Sequence, residues 1–251
     1  MQSRQWKAIE FEELVDMKVI ILSYTGNVGK TTVVAHVLSP RMGDASIIAV
    51  GKIDERVAEL GVSVEVFNER EYSKAFSELL MTDNVIVDVG ASNIEEFLNG
   101  MARFNGIHIK CDCFIIPVTS GTKEQRETMS MIGTLETLGV PPNKIRLLFN
   151  RVEHSVEDEF QILLEYVAKS NNATVNTQAA IYENELFDLL AIKKLSIDKL
   201  LNDPKDYKAL LRENKDADQK QRAHWAEMFG LKALARGVNR NLDDVYAALM
   251  T

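Results

Sequence analysis

The sequence predicts a three-layer α/β fold: a doubly wound, mostly parallel sheet with an α-helical C-terminal extension. Three observations carry this. Short, nearly continuous apolar runs read as strands covered on both faces. Amphipathic segments with apolar residues at i, i+3, i+4 and i+7 lie between them. One strand runs directly into a glycine-containing loop and then a helix-compatible segment. Alternation of strands with helices implies parallel pairing through right-handed crossovers.

The elements follow in order. Residues 1–16 form an N-terminal extension in which Trp6, Ile9 and Leu14 fit a short helix. Met17–Leu22 (MKVIIL) is the first strand, and Thr32–Leu38 continues from its loop as a helix. Ser46–Val50 and Val62–Val66 are weaker strands. Asn84–Val89, Asp112–Val118 and Lys144–Phe149 are stronger ones. Ile94, Phe97, Leu98 and Met101 mark one helix, and Val156, Phe160, Leu163, Leu164 and Val167 another, each stripe facing the core. The strand signal stops after about residue 180. Leu186–Leu201, Asp206–Lys215, Asp218–Ala235 and Leu242–Leu249 read as helices, with Pro204 starting one of them. The expected division is 1–16, an extension; 17–190, the α/β domain; and 191–251, a helical region packed on it or appended to it.

Composition excludes several classes. The chain has 251 residues, 46% hydrophobic and 26% charged, with 13 Gly and 5 Pro. That is an ordinary globular mix, neither collagenous nor dominated by disorder. Net charge is −8, which excludes a uniformly basic nucleic-acid-coating surface. Residues 193–240 hold 12 Lys/Arg and 7 Asp/Glu, a local +5, which offers a place for non-specific DNA contact. The plainer reading of such mixed charge is a solvated helical face. Cys111 and Cys113, two residues apart on an expected strand, should share a face as small core residues rather than a bridge. His36, His108, His154 and His224 show no metal-ligand spacing. No apolar run approaches the ~18 residues of a spanning helix. The first sixteen residues are charged throughout, unlike a secretory leader, so a cytoplasmic chain without a membrane span is expected.

The chemistry concentrates in Met17–Thr32, MKVIILSYTGNVGKTT. A strand, a loop ending Gly29-Lys30-Thr31 and a following helix are the context of a phosphate-binding loop. Gly26 and Gly29 remove the Cβ where backbone N–H groups must turn inward, so Gly26, Asn27, Val28 and Gly29 form a nest at a helix N-terminus. Lys30 would lie on the β- and γ-phosphates, Thr31 would ligate Mg²⁺, and Thr32 would reach the α-phosphate. The general pattern G-x-x-x-x-G-K-[ST] fails at its first glycine, where Tyr24 stands. Val85-Ile-Val-Asp88 supplies a second element: a strand ending in a carboxylate, as P-loop enzymes use to hold the metal shell. Val89-Gly90-Ala91-Ser92 follows as a switch segment.

These parts and their order resemble the ParA/MinD group of deviant-Walker P-loop ATPases, and the fold implied is that of a P-loop NTPase. The loop Ser23-x-x-Gly26-Asn-Val-Gly-Lys-Thr-Thr32 is most similar to the StbB-type plasmid stability proteins. The likeness covers roughly residues 17–190. It extends to the strand–Pro segment Phe114-Ile-Ile-Pro117-Val118 and to the pair Asn150-Arg151 after the next strand. The resemblance implies that Asn150 hydrogen-bonds the adenine edge, since its amide offers both donor and acceptor. The alternative is that Asn150 merely turns the chain. The group's loop carries a lysine that crosses a dimer interface, but Thr25 occupies that position here. Lys52 and Lys123 are candidate replacements. Of the group's Asp-x-Asp after the second strand, which helps position the attacking water, only Asp54 remains.

The resemblance thus implies a switch in plasmid stability or partition. It would use ATP/ADP and Mg²⁺, hydrolyse slowly, form a nucleotide-dependent homodimer and work beside a small DNA-binding adaptor. Lys30, Asp88 and Asp54 would carry the hydrolysis. Two alternatives stay open: a module that binds nucleotide without turnover, and a P-loop small-molecule ligase or kinase.

Overall fold

The computed structural model describes residues 16–51, 63–68, 71–104 and 106–251. The extension 1–15 with Trp6, Ile9 and Leu14, the candidate Lys52, the candidate catalytic Asp54 and the start of the expected strand Val62–Val66 all lie outside the described residues.

The chain opens with strand β1 (Lys18–Ile21) and helix α1 (Lys30–Thr32), which continues without a break as a wider π-helical stretch, Val33–Leu38. Strands β2 (Ser46–Val50) and β3 (Glu65–Phe67) follow, then α2 (Tyr72–Met81), β4 (Val85–Val89), α3 (Ile94–Arg103) and α4 (Ile107–Lys110). Next come β5 (Cys113–Val118), α5 (Thr122–Thr137), β6 (Ile145–Val152), α6 (Val156–Glu159), α7 (Gln161–Ser170) and β7 (Ala180–Tyr182). Helices α8 (Glu185–Lys193), α9 (Ile197–Asn202), α10 (Tyr207–Glu213) and α11 (Gln219–Met250) complete the chain. The seven strands pair in the order β3-β2-β4-β1-β5-β6-β7, every pair parallel.

Strand alternation divides the core in two. Ile20, Val85, Val87, Val89, Phe114, Ile116, Leu147 and Phe149 face a layer built from α2, α3, α5 and α7. Val19, Ile21, Ile86, Cys113, Ile115 and Leu148 face the helix after β1 and helices α8–α11. Burial on both faces is why these strands read as unbroken apolar runs. Ile94, Phe97, Leu98 and Met101 are the buried positions of α3, as their spacing requires. The C-terminal helices complete the second layer: Leu231, Ala235, Leu242, Val245 and Leu249 share one core with Val19 and Ile21.

Several boundaries differ from the sequence reading. β7 continues the sheet past the point where the strand signal fades. The expected helix Leu186–Leu201 is two helices, broken at Lys194 in the left-handed region (φ 54). The expected helices 218–235 and 242–249 are one, since Ala235 and Leu242 are both fully buried along a continuous stripe. Pro204 starts no helix; α10 begins after Asp206, whose carboxylate accepts from the Ala209 N–H at 3.0 Å. Cys111 and Cys113 do not share a face. Cys111 precedes β5, bonds back to the Ile107 carbonyl and lies in the first core, whereas Cys113 lies in the second. Both are buried free thiols, and burial raises each to about 12.

Candidate functional site

The sheet reverses its winding around β1. β2 and β3 extend the sheet on one side, and β5, β6 and β7 on the other. Open α/β sheets place ligands at the carboxyl ends of strands beside such a reversal. A cleft of about 840 Å³ lies there, lined by residues from the β1 loop, the ends of β2, β4 and β6, and the β7–α8 segment.

Register brings the predicted residues together. Asp88 pairs with Ile21 and Ala49 and alternates with buried Val87 and Val89, so it faces the same layer as the helix after β1. Asn150, one residue beyond Phe149, turns to that side as well. Gly26, Asn27, Gly29, Lys30, Thr31, Thr32, Asp88, Asn150 and Arg151 all border the cleft. Val28 does not; it is buried beneath the loop, and its carbonyl accepts from Asn150 Nδ2 at 2.9 Å.

The loop reverses at Asn27 (φ 61) and Gly29 (φ 89). A Cβ on Gly29 would stand 2.0 Å from Asn150 Nδ2, so both the conformation and the space require glycine. Gly26 is different: its φ is not positive, and a Cβ there would meet nothing within 4 Å. The inward turn therefore rests on Asn27 and Gly29 rather than on two glycines. Gly29 caps the helix and accepts from Val33 N at 3.0 Å, leaving the first turn's N–H groups at the cleft. A positive helix end, Lys30, the Thr31 hydroxyl and the Asp88 carboxylate then share one cleft. This donor set fits a nucleoside phosphate with a divalent cation.

The flanks depart from expectation. Thr25 Oγ1 donates to Glu127 on α5, and Lys123 Nζ lies 3.7 Å from the same carboxylate. Lys123 is thus held on α5 outside the cleft lining. Tyr24, at the position of the missing first glycine, packs against the first core and its hydroxyl shares a hydrogen bond with Thr134. Arg151 adopts a left-handed conformation (φ 56) where the β6–β7 register shifts, and its side chain is turned to the exposed rim.

Three contributors carry no signature in the sequence. The far wall is formed by Ile181–Asn184, Phe187, Asp188, Ala191 and Lys194. His36, on the π-helical stretch, lies between that wall and the loop; its Nδ1 accepts from Ile197 N at 3.3 Å and its ring sits 5.6 Å from Phe187. Burial, with Arg41 nearby, lowers His36 from 6.5 to about 4, so it is neutral near pH 7. Asn93 is fully buried at the switch segment, and a Cβ on Gly51 (φ 106) would lie 2.0 Å from its Oδ1. Only a residue without a side chain can close that approach between the ends of β2 and β4.

No protein-family model matches the chain, and no curated protein matches it. Solved structures do. MinD from Aquifex aeolicus aligns with TM-score 0.51 at 18% identity, covering 75% of this chain and 90% of that one. A chain of the Aquifex aeolicus MinC:MinD cell division protein complex aligns with TM-score 0.52 at 17% identity, over 74% and 88%. Apo McdA from Cyanothece aligns with TM-score 0.51 at 14% identity, over 73% and 92%. At these identities the likeness is one of architecture: the chain has the P-loop NTPase fold, with a long helix, α11, as its C-terminal element.

Proposed function

We propose that the chain is a Mg²⁺-dependent ATP-binding protein with slow ATPase turnover, acting as a nucleotide switch in plasmid stability or partition. The observation that carries this reading is the convergence of Gly29, Lys30, Thr31 and Asp88 on one cleft at the carboxyl ends of β1 and β4. The loop's resemblance to StbB-type proteins supports the biological setting, and the architecture shared with MinD and McdA supports the nucleotide-binding fold.

In this reading the helix N-terminus and Lys30 neutralise the phosphates, while Thr31 and Asp88 hold the metal shell. When bound, the metal offsets charge on the transferring phosphoryl group. Thr32 borders the α-phosphate end. Arg151 supplies charge at the rim, and Asn150 braces the loop from beneath. A contact from Asn150 to an adenine edge would share or exchange its bond to Val28. Asp54 positions the attacking water. Slow turnover follows from Thr25, which gives no positive charge and is tied to Glu127. A nucleotide-dependent homodimer, a small DNA-binding adaptor and DNA contact through residues 193–240 complete the proposal. The MinC:MinD complex is a precedent of the same fold for engaging a partner protein. Residues 17–190 would form the nucleotide unit and 191–251 its helical cover.

One titration tests this reading against a binding-only module. ATP, ADP and GTP are titrated with Mg²⁺ while light scattering and phosphate release are followed. Saturable ATP binding with slow release supports the switch. Binding without any release supports a binding-only module. No binding of any of the three removes the P-loop assignment.

A further inference from the structure

We propose that residues 1–15 dock, within the same chain, onto an exposed apolar patch at the amino ends of β1, β4 and β5, opposite the nucleotide cleft. The patch lies where three helices finish. α2 ends in Leu80 and Met81, α3 runs out into Phe104, and α4 carries Ile109. These four side chains are 47, 72, 44 and 63% exposed. Single exposed apolar residues are ordinary, whereas a cluster marks a surface that something covers. Three contacts hold the four together. Phe104 lies against Phe76 of α2, ring centroids 5.4 Å apart, and α4 packs on α2. Lys18 Nζ donates to the Leu79 and Leu80 carbonyls at 2.9 and 3.3 Å, while its N–H donates to Asp112 Oδ2 at 2.8 Å, two residues past α4. Lys144 Nζ closes the far side, donating to the Ile109 carbonyl at 3.0 Å.

The occupant follows from where the chain enters. Residues 1–15 join the fold through Met17, whose carbonyl accepts from Val85 N at 2.9 Å. The next residue, Lys18, already touches the patch. At about 3.3–3.6 Å per residue, Leu14 reaches up to about 14 Å from Lys18 and Trp6 up to about 40 Å, so the segment is long enough to cross the patch. Five of its fifteen residues are large and apolar: Trp6, Ile9, Phe11, Leu14 and Val15. Laying them on Leu80, Met81, Phe104 and Ile109 removes apolar surface from water on both sides. Covalent attachment at the rim of the patch favours this segment over a free partner of equal intrinsic affinity. The docking does not depend on what the cleft binds, and its test uses no nucleotide.

The test uses the full chain carrying Trp225→Phe, which leaves Trp6 as its one tryptophan. Acrylamide should quench Trp6 at least about twofold less than in Met81→Asp with Ile109→Asp, where charge occupies the patch. Both positions are exposed, so the circular dichroism should not change. Phe11→Asp with Leu14→Asp should free Trp6 equally, from the segment's side. The two variants then part. Binding of the dye anilinonaphthalene sulfonate should rise when the segment is altered and the patch uncovered, and should not rise when the patch itself is charged. A nitroxide placed through Gln5→Cys reacts selectively, because Cys111 and Cys113 are buried thiols raised to about 12. It should broaden the amides of Leu80 and Phe104, and lose that effect in Met81→Asp with Ile109→Asp. Equal quenching of Trp6 in all three chains would overturn the proposal. So would broadening that persists with the patch charged, which is proximity without docking. Broadening of an isotope-labelled chain by the nitroxide of another chain would overturn it too, by assigning the patch to a second copy.

Discussion

Asn150 and Val28 lie 122 residues apart in the chain and meet at 2.9 Å, side-chain amide to carbonyl, directly under Gly29. This contact joins the end of β6 to the phosphate-binding loop. Gly29→Ala should therefore fail twice, through its φ of 89 and through the 2.0 Å approach to Asn150. The expected cost is about 2–4 kcal/mol of stability, with loss of nucleotide binding. Adding Asn150→Ala should recover the steric part but not the backbone strain, so the two effects should be non-additive in a double-mutant cycle read by denaturant unfolding. Simple additivity would show that Asn150 does not pack under the loop.

Lys30→Ala should lower Mg·ATP affinity at least tenfold, since a hydrogen bond to a charged group contributes about 1.5–3 kcal/mol. Asp88→Ala should retain part of the binding and lose phosphate release, because the carboxylate acts through the metal. Calorimetric titration checks the first and a coupled phosphate assay the second. An unchanged affinity in Lys30→Ala would remove the loop from the site.

How far the sequence disclosed these features depended on how locally each is determined. β1, β4, β5 and β6 were legible within a few residues because burial on both faces leaves only apolar side chains. β7 was not: three residues, Ala180–Tyr182, are held by pairing with β6 rather than by their own pattern. The break at Lys194 was invisible because a left-handed lysine leaves no residue signature. Conversely, Gly237, Asn239 and Asn241, between the two expected helices, are poor helix formers. The α11 stripe from Ala235 to Leu242 and the Arg41 contacts to Asn239 carry the helix through them. Within the site, the loop and Asp88 could be read from strand–loop and strand–carboxylate patterns. The far wall and His36 depend on how α8 and α9 fold back, which no short pattern encodes.

His36 makes stability depend on pH. Its folded value is about 4 against 6.5 when exposed, so the unfolded chain binds more protons between those values. Stability should be fully present above about pH 6.5 and fall as pH drops toward 4, by up to about 3 kcal/mol from this group. His36→Gln keeps an acceptor for Ile197 N and removes the titration. Denaturant midpoints at pH 7 and pH 5 should differ less in that variant than in the wild type. An equal difference would assign the acid sensitivity elsewhere.

Arg41 fastens the helix after β1 to α11. Its guanidinium donates to the His36 and Val37 carbonyls at 2.8 and 3.1 Å, and to Asn239 O and Oδ1 at 3.0 and 3.1 Å. It also reaches Asp243 at 2.6 Å. Arg41→Ala strands these acceptors in a buried place and should cost about 2–4 kcal/mol. Arg41→Lys should rescue little, because one ammonium cannot serve both helices. Hydrogen exchange should rise around Asn239 in both variants. Full rescue by lysine would mean that charge alone matters there.

The basic stretch 193–240 is not equally available to DNA. Lys232 is buried, donates to the Asp203 and Lys205 carbonyls and lies 5.4 Å over the Tyr207 ring. Lys193 is paired with Glu227 at 2.8 Å. Arg236 and Arg240, four residues apart, are exposed on α11, away from its stripe of buried leucines. If α11 meets DNA, each arginine neutralises about one phosphate. Arg236→Ala with Arg240→Ala should then make the slope of log K against log salt shallower by about 2. Lys232→Ala should leave that slope unchanged and lower the melting temperature, since its role is to hold α10 against α11. Filter binding to a random-sequence duplex across a salt series separates the two. DNA binding with an unaltered slope in the double-arginine variant would move the contact off α11.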